Sequence, residues 1–93
     1  MKIPKSFRLM GQLYAVRIIP QRDWKDPEAV GLFDVSSRQI LILKADKATM
    51  EQVYLHELEH AILLAMGRDK LYKDEAFVDL HAGMLHQVLT SME

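Results

Sequence analysis

The first half of the chain alternates short apolar segments with polar breaks, a pattern typical of β-strands. Four strands are predicted, at residues 6–10, 13–19, 31–35 and 39–44. Gly11-Gln12 separates the first two segments, which are rich in β-forming residues, so we expect these segments to pair as a hairpin. The last segment is continuously apolar from Ile40 to Leu43, which suits a strand close to the core.

In the second half, apolar residues recur at intervals of three and four, the spacing that places them on one face of a helix. Helices are predicted at residues 50–66 and 74–91, joined by a polar connection over residues 68–73. A capping box of Thr49 and Gln52 is expected to begin the first helix, and Gly67 to end it. Strands followed by helices indicate an α+β fold: one domain over residues 1–93, with a short antiparallel sheet followed by two helices.

Composition restricts the chemistry that this domain can carry. The 93 residues include no cysteine, so disulfides and thiolate metal ligands are excluded, and any transition-metal site must use histidine and carboxylates. A net charge of −1 predicts neither a nucleic acid partner nor binding to a membrane surface. The longest apolar run, residues 61–66, is too short to cross a bilayer, and residues 1–5 do not resemble a secretory signal, so we expect a cytoplasmic protein.

The first predicted helix contains the sequence His56-Glu57-Leu58-Glu59-His60. Residues four apart lie one above the other on a helix, so His56 and His60 can present two imidazoles to one ion, and Zn²⁺ suits such ligands. Glu57 is rotated by about 100° from His56. It therefore misses the ion, but it can act from the side as a general base on the attacking water.

Without thiolates, the third ligand of a catalytic zinc must be a downstream carboxylate or histidine. Glu75 lies in the first turn of the second helix, where a short connection can fold it back over the first helix. His81 is rotated by about 240° from Glu75, and His86 lies about 16 Å further along the axis, so neither is expected at the same ion. We predict Glu75 as the third ligand and Asp79, one turn along, as a hydrogen-bond partner that orients a ligand histidine.

These residues resemble the signature of a known enzyme family. His56-Glu57-x-x-His60 followed by Glu75-x-x-x-Asp79 is similar to the pattern of the gluzincins, the thermolysin-like zinc metallopeptidases. The stretch 74–79 also resembles small phage and prophage metallopeptidases, including enzymes that cleave immunity repressors. The resemblance covers roughly residues 31–90 and implies a minimal zincin-like metallopeptidase domain.

The resemblance also implies roles for neighbouring residues. In that fold an edge strand beside the active-site helix binds the substrate backbone by strand addition, and residues 39–44 would take this place. Tyr72 is the preferred donor to the oxyanion of the intermediate, because the connection before the second helix borders the zinc in related folds. Tyr54, His81 and Arg68 are alternative donors.

The chain departs from other users of this helix. We expect no C-terminal domain that would form the far wall of a cleft. Leu63 and Met66 stand where the extended metzincin motif needs glycine and histidine, and peptide deformylase needs a cysteine ligand that this sequence lacks. Glu59 is expected at the surface. Four methionines are expected to fill the core, namely Met50, Met66, Met84 and Met92.

The sequence therefore predicts a zinc-dependent, phage- or prophage-associated peptidase with Glu57 as general base, acting on a peptide or protein substrate such as a regulatory protein. One alternative is a catalytically weak or inactive zincin-like module that binds zinc and acts through a protein partner. Another is an interaction helix-hairpin that binds no metal at all. The sequence gives no indication of the oligomeric state.

Overall fold

The computed structural model describes residues 1–92, which form a four-stranded sheet followed by helices. The strands are β1 (Ser6–Leu9), β2 (Gln12–Ile19), β3 (Gly31–Asp34) and β4 (Gln39–Leu43). The helices are α1 (Lys47–Ala65), α2 (Asp69–Tyr72) and α3 (Glu75–Ser91), and a short 3₁₀ turn spans Gln21–Asp23. The predicted α+β fold is confirmed, and each predicted strand occurs with bounds that differ by one residue at one end.

The sheet is mixed, with the strand order β1-β2-β4-β3. The hairpins β1–β2 and β3–β4 are antiparallel, as predicted, but β2 and β4 pair in parallel, from Ala15 opposite Gln39 to Ile19 opposite Leu43. The fully antiparallel sheet expected from the sequence is therefore wrong at its centre. The connection after β2 leads to β3 at the same end of the sheet, since Ile19 lies opposite Leu43 and Gly31 opposite Ile42. Strand β3 then returns the chain, and β4, the most apolar strand, pairs with a neighbour on both sides.

This order changes the identity of the edge strand. Residues 39–44 were expected at the edge, but β4 is central, and Ile40 and Ile42 are 0% exposed. A strand with so many apolar residues buries most area when neighbours flank it on both sides. The edge strand beside the helices is β3 instead.

The turn between β1 and β2 lies one residue earlier than predicted. Leu9 pairs with Gln12, so Met10 and Gly11 are the two central residues, with φ of 52° and 76°. A two-residue hairpin turn of this kind needs positive φ at both central positions. Gly11 adopts that conformation without strain. Met10 adopts it as well, and its side chain is exposed to solvent.

Helix α1 begins at Lys47, earlier than the predicted Met50, because its N-cap is Asp46 and not Thr49. The Asp46 carboxylate accepts a hydrogen bond from the Thr49 backbone N–H at 3.1 Å and another from the Thr49 hydroxyl at 2.6 Å. Such a cap satisfies an amide that the helix itself leaves unpaired. The predicted end is confirmed, since Gly67 follows the helix with φ of 71°.

The connection to α3 contains the short helix α2, where the sequence indicated only a polar segment. Helix α3 then begins at Glu75, with Asp74 as the N-cap that accepts from the Phe77 N–H at 3.0 Å. Within residues 1–92, no helix is both long and apolar enough to cross a membrane.

The core lies between the sheet and α1, and α3 packs against α1 on the far side. The buried side chains at its centre are Val16, Ile40, Ile42, Met50, Tyr54, Leu55 and Ala82. Met50 is therefore buried as expected. The expectation was wrong for Met66, Met84 and Met92, which are more than half exposed, because no further layer covers that side of the helices.

One buried carboxylate ties the ends of α1 and α3 together. Glu51 is 4% exposed, and its Oε1 accepts a hydrogen bond from His86 Nε2 at 2.8 Å. Lys47 and the amino group of Met1 lie 4.0 and 3.7 Å from Oε2. The hydrogen bond from His86 is the main reason why the pKa of Glu51 lies below its usual value.

This pair predicts a specific loss of stability in acid. A carboxyl whose pKa is lower in the folded state stabilises the fold above its unfolded pKa, here near 4.5, and this stability is lost as the pH falls through the folded value. We expect the free energy of unfolding to fall less steeply below pH 4.5 in Glu51→Gln than in the unaltered protein. Urea denaturation at several pH values measures this. Asp23→Asn, at an exposed position, is the control and should keep the original pH dependence; equal slopes in all three proteins would contradict the prediction.

Candidate metal centre

Three predicted ligands meet between α1 and α3. His56 and His60 lie one turn apart on α1, with ring centroids 5.0 Å apart. Glu75, the first residue of α3, places one carboxylate oxygen 3.0 Å from His56 Nε2 and the other 3.0 Å from His60 Nε2. The turn at Gly67 and the short helix α2 return the chain so that Glu75 lies over the histidines.

The chemistry of this group fits a divalent transition ion. One ligand atom from each of His56, His60 and Glu75 lies within 4.8 Å of the others, and both imidazoles direct Nε2 toward the same carboxylate. Two imidazole nitrogens and one carboxylate are ligands that Zn²⁺ accepts, and Mn²⁺, Fe²⁺ and Co²⁺ accept them as well. The structure thus brings together all three side chains that the sequence singled out.

Asp79 lies where it can orient one of these histidines. It follows Glu75 by one turn of α3, and its Oδ1 is 3.4 Å from His56 Nδ1, the ring nitrogen that faces away from Glu75. A carboxylate at this position favours a proton on Nδ1 and leaves Nε2 as the electron-pair donor. The Asp79 side chain is 84% exposed, so its contribution is screened by solvent.

Glu57 is the most perturbed carboxyl of the site. It is 9% exposed and lies on the floor of the cleft that the three ligand side chains also line. Burial raises the pKa of Glu57 to about 7; the neighbouring His56 opposes this rise, and the Glu75 carboxylate adds to it. A buried carboxyl beside a potential metal site is a chemically suitable proton acceptor.

Tyr72 borders the same cleft from the end of α2. Its ring centroid lies 5.0 Å from that of His60, in an edge-to-face arrangement. Tyr54, an alternative donor in the sequence analysis, is instead 5% exposed in the core against Phe7. Of the four candidate donors, Tyr72 is the one that lines the cleft.

The cleft itself has a volume of about 770 Å³ and runs between β3 and the N-terminal half of α1. Val30, Gly31 and Phe33 line the cleft on the β3 side, and Thr49 and Val53 line it on the α1 side. The ligand side chains lie together with Tyr72 at one end of it. An extended segment of another chain therefore has a path along β3 to the candidate metal centre.

The remaining histidines lie outside the metal group, as predicted. His86 pairs with Glu51, and His81 Nδ1 makes a short hydrogen bond with Glu59 Oε1. The expectation that Glu59 is a surface residue was wrong, since it is 8% exposed. The signal was present in the spacing: Glu51, Leu55 and Glu59 are four residues apart, so they share the face of α1 that α3 covers.

Comparisons with protein-family models, with curated proteins and with solved structures find no match to this chain.

The geometry predicts binding of one zinc ion per chain. Titration calorimetry with Zn²⁺ on the metal-free protein should give a stoichiometry of one, and Glu75→Ala and His60→Ala should remove the binding. Asp79→Asn should bind about 10–100-fold more weakly, because it loses only the partner of His56 Nδ1. Zinc at 100 times its dissociation constant should also stabilise the fold by about 2.7 kcal/mol.

His86→Gln is the matched control, because it replaces a histidine of α3 that lies outside the metal group. It should be less stable yet bind zinc with unchanged affinity. Equal zinc binding by the unaltered protein and Glu75→Ala would contradict the assignment of the three ligands.

Proposed function

We propose that this protein is a zinc-dependent metallopeptidase that hydrolyses a peptide bond with Glu57 as general base. One observation carries the proposal: a single cleft holds the His56, His60 and Glu75 group, the buried carboxyl of Glu57 and an exposed strand edge. Metal-assisted hydrolysis of a peptide bond uses a Lewis acid, a base and a surface that aligns an extended backbone, and these residues could supply the metal site, the base and the surface.

When bound, a divalent ion supplies polarisation of the scissile carbonyl and of the attacking water. The chain's own residues perform the remaining tasks. Glu57 takes the proton of the water and transfers it to the leaving amine, which is the role of a base that becomes an acid in the second step. Asp79 holds the His56 ring in one orientation.

Tyr72 supports stabilisation of the oxyanion. It lies on α2 beside His60, with its ring bordering the cleft. A phenol O–H at this place can donate a hydrogen bond to the negative charge that develops on the carbonyl oxygen. Its effect belongs to the transition state, so loss of the hydroxyl should lower kcat more than it raises KM.

The substrate class is a peptide or protein segment in extended conformation. The edge of β3 that faces away from β4 borders the cleft, and an extended backbone can pair with it as an additional strand. The sequence predicts strand addition at residues 39–44, but β4 is central and both of its edges are paired. We therefore assign this role to β3, the edge strand. Hydrogen bonds between the main chains of β3 and the substrate would allow binding with few side-chain pockets. A small domain has room for few such pockets.

The second candidate function is a zinc-binding module that holds a protein partner without cleaving it. The exposure of the site on the α3 side favours this second function. The Glu75 side chain is 69% exposed, so it would shield little of a bound substrate from solvent. A purely structural site is less well supported. A structural zinc site needs a fourth protein ligand. Within residues 1–92 the candidate metal group comprises three side chains that line the cleft, and His81 is hydrogen-bonded to Glu59 instead.

The proposal predicts that the Glu57→Gln variant loses hydrolytic activity but still binds zinc. The amide cannot accept the proton, so we expect turnover of zinc-loaded protein on internally quenched peptides to fall by about 10²–10⁴-fold, the usual contribution of a general base. Zinc affinity, measured by calorimetry, should change little because Glu57 is not one of the three ligand side chains.

Asp23→Asn is again the control, since Asp23 is an exposed carboxylate that does not line the cleft. It should retain activity. Turnover by Glu57→Gln at the rate of the unaltered protein would refute the role of general base. Zinc binding without any hydrolysis by the unaltered protein would favour the non-catalytic module.

A further inference from the structure

Gly31 stands at the start of β3, where the edge strand passes closest to the candidate active site. It pairs with Ile42 of the buried strand β4, and the neighbouring Val30 carbonyl accepts a hydrogen bond from the Leu43 N–H at 3.0 Å. Positive φ values occur at Gly11 and Gly67 but not at Gly31. The backbone conformation at residue 31 is therefore open to any residue, and the reason for glycine must be space.

The space at residue 31 is taken by two side chains of α1. A Cβ atom built on Gly31 would overlap Val53 Cγ1 and would lie 3.2 Å from Glu57 Oε2 and 3.3 Å from Glu57 Cγ. Val53 is β-branched and sits within a helix, so it has little rotamer freedom with which to move away. The missing side chain thus lets the β3 backbone lie directly against the proposed general base.

We propose that Gly31 is a positioning residue that sets the distance between the substrate-binding edge of β3 and Glu57. The inference rests on the proposed function. It extends the proposed site by a residue that neither binds the metal nor transfers a proton. A side chain at position 31 moves β3 outward from α1. A peptide paired with β3 then moves away from Glu57 and from the three metal ligands, which are carried by α1 and α3 and stay in place.

Two features of the site are consistent with this coupling. Glu57 is 9% exposed although it lies in a cleft, and the closely packed β3 backbone is part of what covers it. The strand also belongs to the cleft wall through Val30, Gly31 and Phe33, so any shift of β3 changes the path of a bound peptide. Metal binding, in contrast, does not involve β3.

The test uses Gly31→Ala, the double variant Gly31→Ala/Val53→Ala and the control Gly83→Ala. In the double variant the overlapping Cγ1 is gone, so β3 can return. Gly83 lies in α3 with no atom within 4 Å of a built Cβ, so alanine there should be harmless. Each protein is loaded with zinc and titrated with two probes: acetohydroxamate, which chelates the metal alone, and a tripeptidyl hydroxamate, which also offers a backbone to pair with β3.

We expect Gly31→Ala to bind zinc and acetohydroxamate as the unaltered protein does, and to bind the peptidyl hydroxamate roughly tenfold more weakly. The double variant should recover most of that loss, and Gly83→Ala should show none. Peptidase turnover should follow the same order. In metal-free protein, the amide NMR shifts of Phe33 and Asp34, which are not bonded to residue 31, should change in Gly31→Ala and return in the double variant.

Three other outcomes decide against the inference, and a fourth separates it from the proposed function. Equal affinity of Gly31→Ala and the unaltered protein for both probes overturns it, and so does a loss that the Val53 substitution fails to restore. Zinc affinity lost together with the peptidyl probe would show a general structural role. Gly31→Ala could weaken binding of the peptidyl hydroxamate alone while the unaltered protein hydrolyses no peptide. That result would refute the catalytic proposal and still support the role of Gly31.

Discussion

The packing of α3 against α1 is the constraint on which the candidate site depends. The two helices run in opposite directions, since Glu51 near the start of α1 meets His86 near the end of α3, whereas His60 meets Glu75. Val78 and Ala82, 0% and 2% exposed, allow close approach. A shift of α3 by one turn would leave the buried carboxylates of Glu51 and Glu59 without their histidine partners, which is costly in a desolvated interface.

The same helix register brings the candidate metal-binding side chains together. With Glu59 held by His81, the first turn of α3 lies over His56 and His60, and the spacing from Glu75 to Asp79 places one carboxylate on each side of the His56 ring. The sheet adds the other half of the site. It supplies the β3 edge and covers Glu57, so that a metal group built by helices acquires a wall along which a peptide can lie.

Sequence reasoning succeeded where local patterns decide the structure. The four-residue spacing of His56 and His60, the glycine stop at Gly67 and the position of Glu75 just after Asp74 are each set within a few residues, and the structure brings the three ligand side chains together accordingly. The sequence-based prediction was wrong where segments far apart in the chain compete for the same pairing or packing partner. The parallel pairing of β2 with β4, the edge position of β3 and the burial of Glu59 depend on which partner each segment finds, and strand pattern alone does not encode that choice.

By itself, then, the sequence determined the elements, the α+β class and a His-His-Glu group with an acidic neighbour, because helix periodicity and capping act over short distances. Only the tertiary structure decided that β3 rather than β4 borders the cleft, and that Gly31 brings this strand against Glu57. The physical reason is that burial is a property of contacts between segments far apart in the chain. The most apolar strand took the centre of the sheet, which left β3 at the edge, and the absence of one side chain set how closely that edge approaches α1.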